Sequence, residues 1–164
     1  MEAVNGATKR ITLPDGSSLD LTIPQGAQDG QVLRLRGKGQ PGIGGGPPGD
    51  ALIDLHVQPH RFFTREGDNV RLELPISLTE AVLGSRVTAP TPTGPVTMTV
   101  PQSSNTGAVL RLRGKGVRRP DGSMGDEYVT LKLMLPQAND PELEAFVRNW
   151  AAGKAQDPRQ GMEA

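Results

Sequence analysis

The eight residues VLRLRGKG at positions 32–39 return unchanged at 109–116, and nothing else in the chain limits its fold so strongly. The match extends outward: IPQGAQDGQVLRLRGKG from Ile23 faces VPQSSNTGAVLRLRGKG from Val100, an offset of 77 residues. Units of solenoids and propellers recur every ~20–50 residues, so a period this long points instead to two small domains of one design. At 164 residues the chain has room for both.

What fills those domains follows from composition. Aromatic residues number only five, Phe62, Phe63, Tyr128, Phe146 and Trp150, so the cores must be built from Leu, Val and Ile. Cysteine is absent, which excludes disulfide staples and thiolate metal sites and suits a cytoplasmic address. Eighteen basic and eighteen acidic side chains cancel, leaving no overall field to attract nucleic acid or an anionic membrane. No stretch reaches the ~20 apolar residues of a membrane helix, and the opening MEAVNGATKR lacks a signal peptide's apolar centre. The expectation is a soluble protein with no membrane partner.

Period-two alternation dominates the chain and predicts half-buried strands. RITL, a Pro14-Asp15-Gly16 turn and LDLTI read as a hairpin, with Leu19, Leu21 and Ile23 on one face. In QVLRLRG, Leu33 and Leu35 share the face opposite Val32. QPGIGGGPPGD at 40–50 is a loop, because Pro removes donors and Gly adds chain entropy. ALIDLHVQP is a strand whose inward face stays open between Leu52 and Ile53. The second copy repeats the order with SRVTAP, a turn through 91–95, VTMTVP, VLRLRG, a loop through Pro120-Asp121-Gly122 and DEYVTLKLMLP, the offset slipping between 76 and 77 as turns absorb insertions.

Two helices are expected. SLTEAVLG opens on Ser77 with Glu80 three residues on, a capping box, and stops at Gly84. DPELEAFVRNWAAG has Asp140 at the N-cap, Pro141 at the first helical position, Gly153 past the end, and Leu143, Phe146, Val147 and Trp150 in one stripe. The tail after it is polar and reads as disordered. One element is missing from the first copy: MEAVNG matches TEAVLG, but NVRLELPIS, the strand before TEAVLG, has no counterpart.

Chemistry for an enzyme is not visible. His56 and His60 are four apart, but the intervening VQP forbids a helical face on which both could bind a metal, and no cofactor is expected. Asp20, Asp54, Glu73 and Glu127 read as solvated strand surface. Gly37-Lys38-Gly39-Gln40-Pro41-Gly42 satisfies GxGxxG, yet a Pro/Gly loop follows where a dinucleotide site needs a helix. The doubled RLRGKG, with Arg34, Arg36, Lys38, Arg111, Arg113 and Lys115, fits either a phosphate-binding patch or, with more weight, a strand ending in a glycine turn; no aromatic lies nearby to stack bases. The helical stripe buries itself either on its own domain or on a second copy. Phe62 and Phe63 either plug the seam between domains or edge an apolar groove.

Several long segments in fixed order, IPQGAQDGQVLRLRGKGQPG, GGGPPGDALIDLHVQPHRFFTREGDNVRLELPISLTEAVLGSRVTAPTPTG, VLRLRGKGVRR and GDEYVTLKLMLP, closely resemble the C-terminal substrate-binding region of bacterial Hsp40 (DnaJ-type) co-chaperones. The resemblance runs from about residue 2 to 152. It implies a mainly β fold, with two tandem small β-sandwich domains at 1–63 and 64–138, a dimerisation helix at 139–152 and a tail at 153–164. It implies unfolded polypeptide clients held in a shallow apolar groove on the first domain, carried over to Ile11, Leu13, Leu19, Leu21, Phe62 and Phe63, with extended peptide adding beside a sheet edge. It implies a homodimer through Leu143, Phe146, Val147 and Trp150, and an Hsp70 partner where a J domain is present. Neither histidine here is followed by the Pro-Asp of a J domain, and the cysteine-rich zinc insert is missing, so the chain resembles the zinc-free class related to curved-DNA-binding homologues and reads as a fragment or shortened product. That relation keeps DNA as the alternative partner. The lost opening strand leaves one sheet edge bare.

Overall fold

Alternation becomes strand in both copies, and the pairing repeats residue for residue. A computed structural model of the chain describes residues 1–13, 15–119 and 121–162. The prolines expected to open the two Pro-Asp-Gly turns, Pro14 and Pro120, lie outside the described residues, as does the end of the tail. Contacts divide the chain into one unit at Met1–Leu133 and another at Met134–Ala164. Both copies of the repeat therefore lie in the first unit, and the boundary the repeat suggests at 63/64 falls inside it.

The first copy comprises helix α1 (Glu2–Asn5) and strands β1 (Ala7–Thr12), β2 (Ser18–Ile23), β3 (Val32–Leu35) and β4 (Ala51–Asp54). β1 and β2 form the expected hairpin, Ala7 opposite Ile23 and Ile11 opposite Leu19. β3 and β4 form a second two-stranded sheet, Val32 opposite Asp54. In the second copy, α2 (Leu78–Leu83), β7 (Ser85–Ala89), β8 (Val96–Val100), β9 (Val109–Leu112) and β10 (Glu127–Met134) repeat this plan. Ser85 faces Val100 as Ala7 faces Ile23, and Val109 faces Thr130 as Val32 faces Asp54. The loop at 40–50 differs from a plain loop only by a 3-10 turn at Ile43–Gly45.

One difference separates the copies. β5 (Phe63–Glu66) and β6 (Asn69–Ser77) precede α2, and they build a four-stranded sheet in the order β5-β6-β10-β9. Along β6 the burial alternates strictly, with Val70, Leu72, Leu74 and Ile76 inward. These residues meet Ala89, Met98 and Val100 of the β7–β8 ribbon and Val129 and Leu131 of β10 in one apolar core. Among the described residues, no strand pairs with β4 on the side that corresponds to the β6 side of β10.

The copies are tied directly. Arg65 of β5 donates to the carbonyls of Ala27 and Gly26 at 2.7 and 3.0 Å, and the Asn5 amide donates to Pro92 O at 2.6 Å. At this seam Ala27 and Val117 are buried.

The expected helix caps are present. Ser77 Oγ accepts from the Glu80 N–H at 3.1 Å and Glu80 Oε2 accepts from the Ser77 N–H at 2.8 Å, so two donors that the helix leaves unpaired are satisfied reciprocally. In the second unit α3 (Pro141–Asn149) starts under an Asp140 cap that accepts from the N–H groups of Glu142 and Leu143. The helix does not run on to Gly153. It breaks at Trp150, and a short α4 (Ala151–Ala155) passes through the glycine. The Trp150 ring lies where a Cβ on residue 153 would be, so Gly153 admits the indole instead of stopping the helix. No helix among the described residues is long and apolar enough to cross a membrane.

Candidate functional site

The doubled motif is a clasp. Arg34 and Asp50 form a forked ion pair, Arg34 Nε donating to Asp50 Oδ2 at 2.6 Å while Oδ1 accepts from the Gly37 N–H at 2.7 Å. Arg111 and Asp126 repeat it, with Nε donating at 2.7 Å and the Gly114 N–H at 2.8 Å. Each aspartate thus locks the strand to the turn that follows it. The turn needs glycine at Gly37 and Gly114, whose φ angles are +64° and +67°. The main-chain donors, then the guanidinium, hold both carboxyls below the usual carboxylate range. Among the described residues Arg36, Lys38, Arg113 and Lys115 make no ion pair.

One reading of the carboxylates is corrected here. Asp20, Asp54 and Glu73 are exposed, but Glu127 is fully buried, and neither of its oxygens has a hydrogen-bond partner. Burial pushes its carboxyl up to about 7, with the Lys115 charge opposing. Glu127 shares the inward face of β10 with Val129 and Leu131, so the strand's own alternation carries its carboxylate into the interior.

An apolar concavity lies in the first copy. Ile11, Leu21 and Ile23 of the β1–β2 hairpin, Ile53 of β4, Leu55 and Val57 line a cavity of about 580 Å³. It shares Val57, Pro59 and His60 with a neighbouring cavity of about 550 Å³ that continues to Phe63 and Val70. The repeat explains why this space is open. Ile23, Ile53 and Leu55 correspond to Val100, Val129 and Leu131, which are at most 1% exposed, yet the first-copy residues are only half-buried. β6, paired beside β10, completes the core around the second set, and among the described residues no strand takes that place in the first.

Of the residues singled out from sequence, Ile11, Leu21 and Phe63 are brought to this groove. Leu13 is buried beside the glycine-rich loop, Leu19 is half-buried, and Phe62 is exposed beneath the Arg61 guanidinium, 5.1 Å from its ring centre. Phe63 also packs on the second core, and His60 Nδ1 accepts from the N–H groups of Phe62 and Phe63 at 3.1 and 3.3 Å, which fixes the turn into β5. Ile23, Ile53, Leu55 and Val57 were missed as groove residues. Their alignment with Val100, Val129, Leu131 and Leu133 carried the signal. In the second unit Phe146, Val147 and Trp150 are exposed, Leu143 is half-buried, and Phe146 stacks on Trp150 at 6.0 Å.

The family model for the DnaJ C terminal domain matches residues 1–136. The chain belongs to that family. Among similar proteins, a curved DNA-binding protein of Coxiella burnetii is 39% identical over 174 residues, covering 98% of this chain and 55% of the relative. The chaperone protein DnaJ of Ruminiclostridium cellulolyticum is 41% identical over 143 residues, 87% of this chain and 38% of the relative. That of Geobacillus thermodenitrificans is 44% identical over 119 residues, 72% and 31%. The chain thus spans about half the length, or less, of these relatives. The mainly β architecture, with its small sheets and C-terminal helices, is that of a DnaJ C-terminal domain.

Proposed function

We propose that this chain is the client-holding part of a DnaJ-type co-chaperone: it binds unfolded polypeptide on the groove of the first copy, pairs with a second chain through α3, and passes clients to an Hsp70 when a J domain accompanies it. Residues 1–63 are the holding module, 64–138 its closed counterpart and 139–152 the pairing helix. The reading assigns no catalysis and no cofactor. One observation carries it: Ile11, Leu21, Ile53 and Leu55 line an open apolar cleft where the equivalent residues of the second copy are closed over. Unfolded chains offer apolar side chains at loose spacing, and a cleft whose Leu, Ile and Val walls are rimmed by Lys9, Asp54 and His56 holds them by apolar contact without selecting a sequence.

The test is suppression of aggregation of a chemically unfolded protein by the full chain. Ile11→Asp with Ile53→Asp should reduce suppression at least fivefold, while Leu52→Asp, on the opposite face of β4 and 67% exposed, should leave it unchanged. Far-UV circular dichroism establishes that each variant folds. A folded double variant with full activity would remove the groove from the function. A nucleic-acid role for RLRGKG is the weaker reading, because Arg34 and Arg111 are already neutralised by Asp50 and Asp126.

A further inference from the structure

One wall of the groove is reached through a segment with little of its own to hold it. β4 ends at Asp54 and β5 starts at Phe63, and residues 55–62 between them lie outside helix and strand. Among the described residues, 58–62 make no hydrogen bond to other main chain. A single side-chain atom organises them: His60 Nδ1 accepts from the Phe62 N–H at 3.1 Å and from the Phe63 N–H at 3.3 Å. These donors lie two and three residues ahead, where the oxygen of an Asp or Asn reaches when it shapes a turn. The imidazole also packs on the ring it places, 4.9 Å from the Phe63 centre and inclined by 33°. The other end of β5 is secured independently by Arg65, whose guanidinium donates to the carbonyls of Gly26, Ala27 and Gly67. The entry to β5, and with it the position of the Phe63 ring where the groove continues past Val57 and Pro59, is set by His60.

We propose that His60 is the positioning residue of the groove: its neutral ring, with the hydrogen on Nε2, holds the Phe62 and Phe63 N–H groups and so places Phe63 for clients, and a second proton, on Nδ1, releases them. The role rests on the client-holding reading and adds what regulates it. A nitrogen that accepts carries no proton, whereas a doubly protonated imidazole has a donor on each nitrogen and no acceptor. Acid therefore turns two bonds into a clash of N–H groups. Imidazole is the side chain whose charge ordinarily changes between about pH 5 and 8, and His60 is exposed, so protons reach it from solvent. The groups that face it are largely engaged elsewhere. On the side of the first cavity, Glu2 of α1 and Lys9 of β1 pair with each other at 2.7 Å, and Asp54 and His56 stand at the end of β4. On the side of the second, Asp29 accepts from the Val57 N–H at 2.8 Å, and Arg65 is taken up by its carbonyls. The Met1 amine borders both cavities, and Arg61 lies over Phe62. In the second core Glu127 is best accommodated when neutral, so acidification strengthens that core and works against any loss of holding.

The probe is a dye-labelled peptide of Leu, Phe, Ser and Gln with blocked ends, which carries no titrating group. It is added to the full chain and followed by fluorescence anisotropy at pH 8 and pH 5.5, with far-UV circular dichroism checking the fold at both. Affinity should fall about fivefold on acidification, as expected for the loss of weak hydrogen bonds. In His60→Asn, whose Oδ1 can accept at either pH, the two affinities should agree within about twofold. His56→Gln should keep the fall, which separates the two imidazoles. His60→Leu, which has no acceptor, should bind at pH 8 about as weakly as the unmodified chain does at pH 5.5. Long-range proton–nitrogen spectra should show the Nε2–H tautomer of His60 at pH 8, with the Phe62 and Phe63 amide signals moving as the ring titrates. Equal affinity of the unmodified chain at both pH values, an acid-sensitive His60→Asn, or an Nδ1–H tautomer would overturn the positioning role and leave client holding in place. No peptide binding at either pH would overturn client holding, and this role with it.

Discussion

At the residue scale, two kinds of carboxylate sit one position apart and respond to pH in opposite senses. Asp126, like Asp50, is stabilised as an anion by a glycine N–H and an arginine, so its contribution is present above the ordinary value of 3.8 and is lost on acidification. Glu127 is buried without a partner, and its folded value of about 7 lies above the ordinary 4.5. Its neutral form is therefore the one the core accommodates: stability is fullest below about 4.5 and falls as pH rises through about 7. A shift of this size corresponds to about 3 kcal/mol at most, with Lys115 reducing it. Glu127→Leu should raise stability at pH 8 by about 1–3 kcal/mol and flatten the decline between pH 5 and 8, measured by urea unfolding at both values. An unchanged pH profile would mean that the carboxylate is hydrated. The first copy has Ala51 at the equivalent position, so this pH response belongs to the second alone.

At the element scale, β6 is what separates a closed core from an open one. Leu131 and Leu55 occupy equivalent positions after the same clasp, but only Leu131 is sealed in the core that β6 completes. Leu131→Ala should cost about 2–5 kcal/mol, as for other buried leucines, whereas Leu55→Ala should cost less than half as much because water already reaches its cleft. Urea unfolding of the two variants side by side gives the ratio, and equal losses would show that the first copy is as well covered as the second. β6 itself was legible in the sequence. Nine residues of strict alternation, with Pro75 beyond the reach of β5, which ends opposite Leu72, leave little alternative to a strand. The inward face of β4 was not legible, since Leu52 and Ile53 are both apolar and only the pairing with β3 chooses between them.

At the scale of the whole molecule, the second unit ends in a short helix that cannot bury its own stripe. Phe146, Val147 and Trp150 are 62%, 48% and 46% exposed, with Phe146 stacked on Trp150. An apolar stripe of this size favours association, and a self-complementary helix contact gives a twofold pair. Under the proposed function, ending the chain before Asp140 should convert a dimer to a monomer in multi-angle light scattering, with the fold of residues 1–133 retained. An unchanged mass would assign the pairing to another surface.

Local rules in the sequence decided a great deal: the strands through period-two alternation, both caps through Ser77 and Asp140, and the duplication through its repeated clasp. These depend on residues close together in the chain. Helix continuity at Gly153 failed, because a glycine there can end a helix or admit an indole, and only the position of Trp150 decides between them. The burial of Glu127 and the openness of the first cleft were likewise settled by what lies across the sheet, since a side chain's exposure depends on the element that covers it, and covering elements arrive from distant parts of the chain.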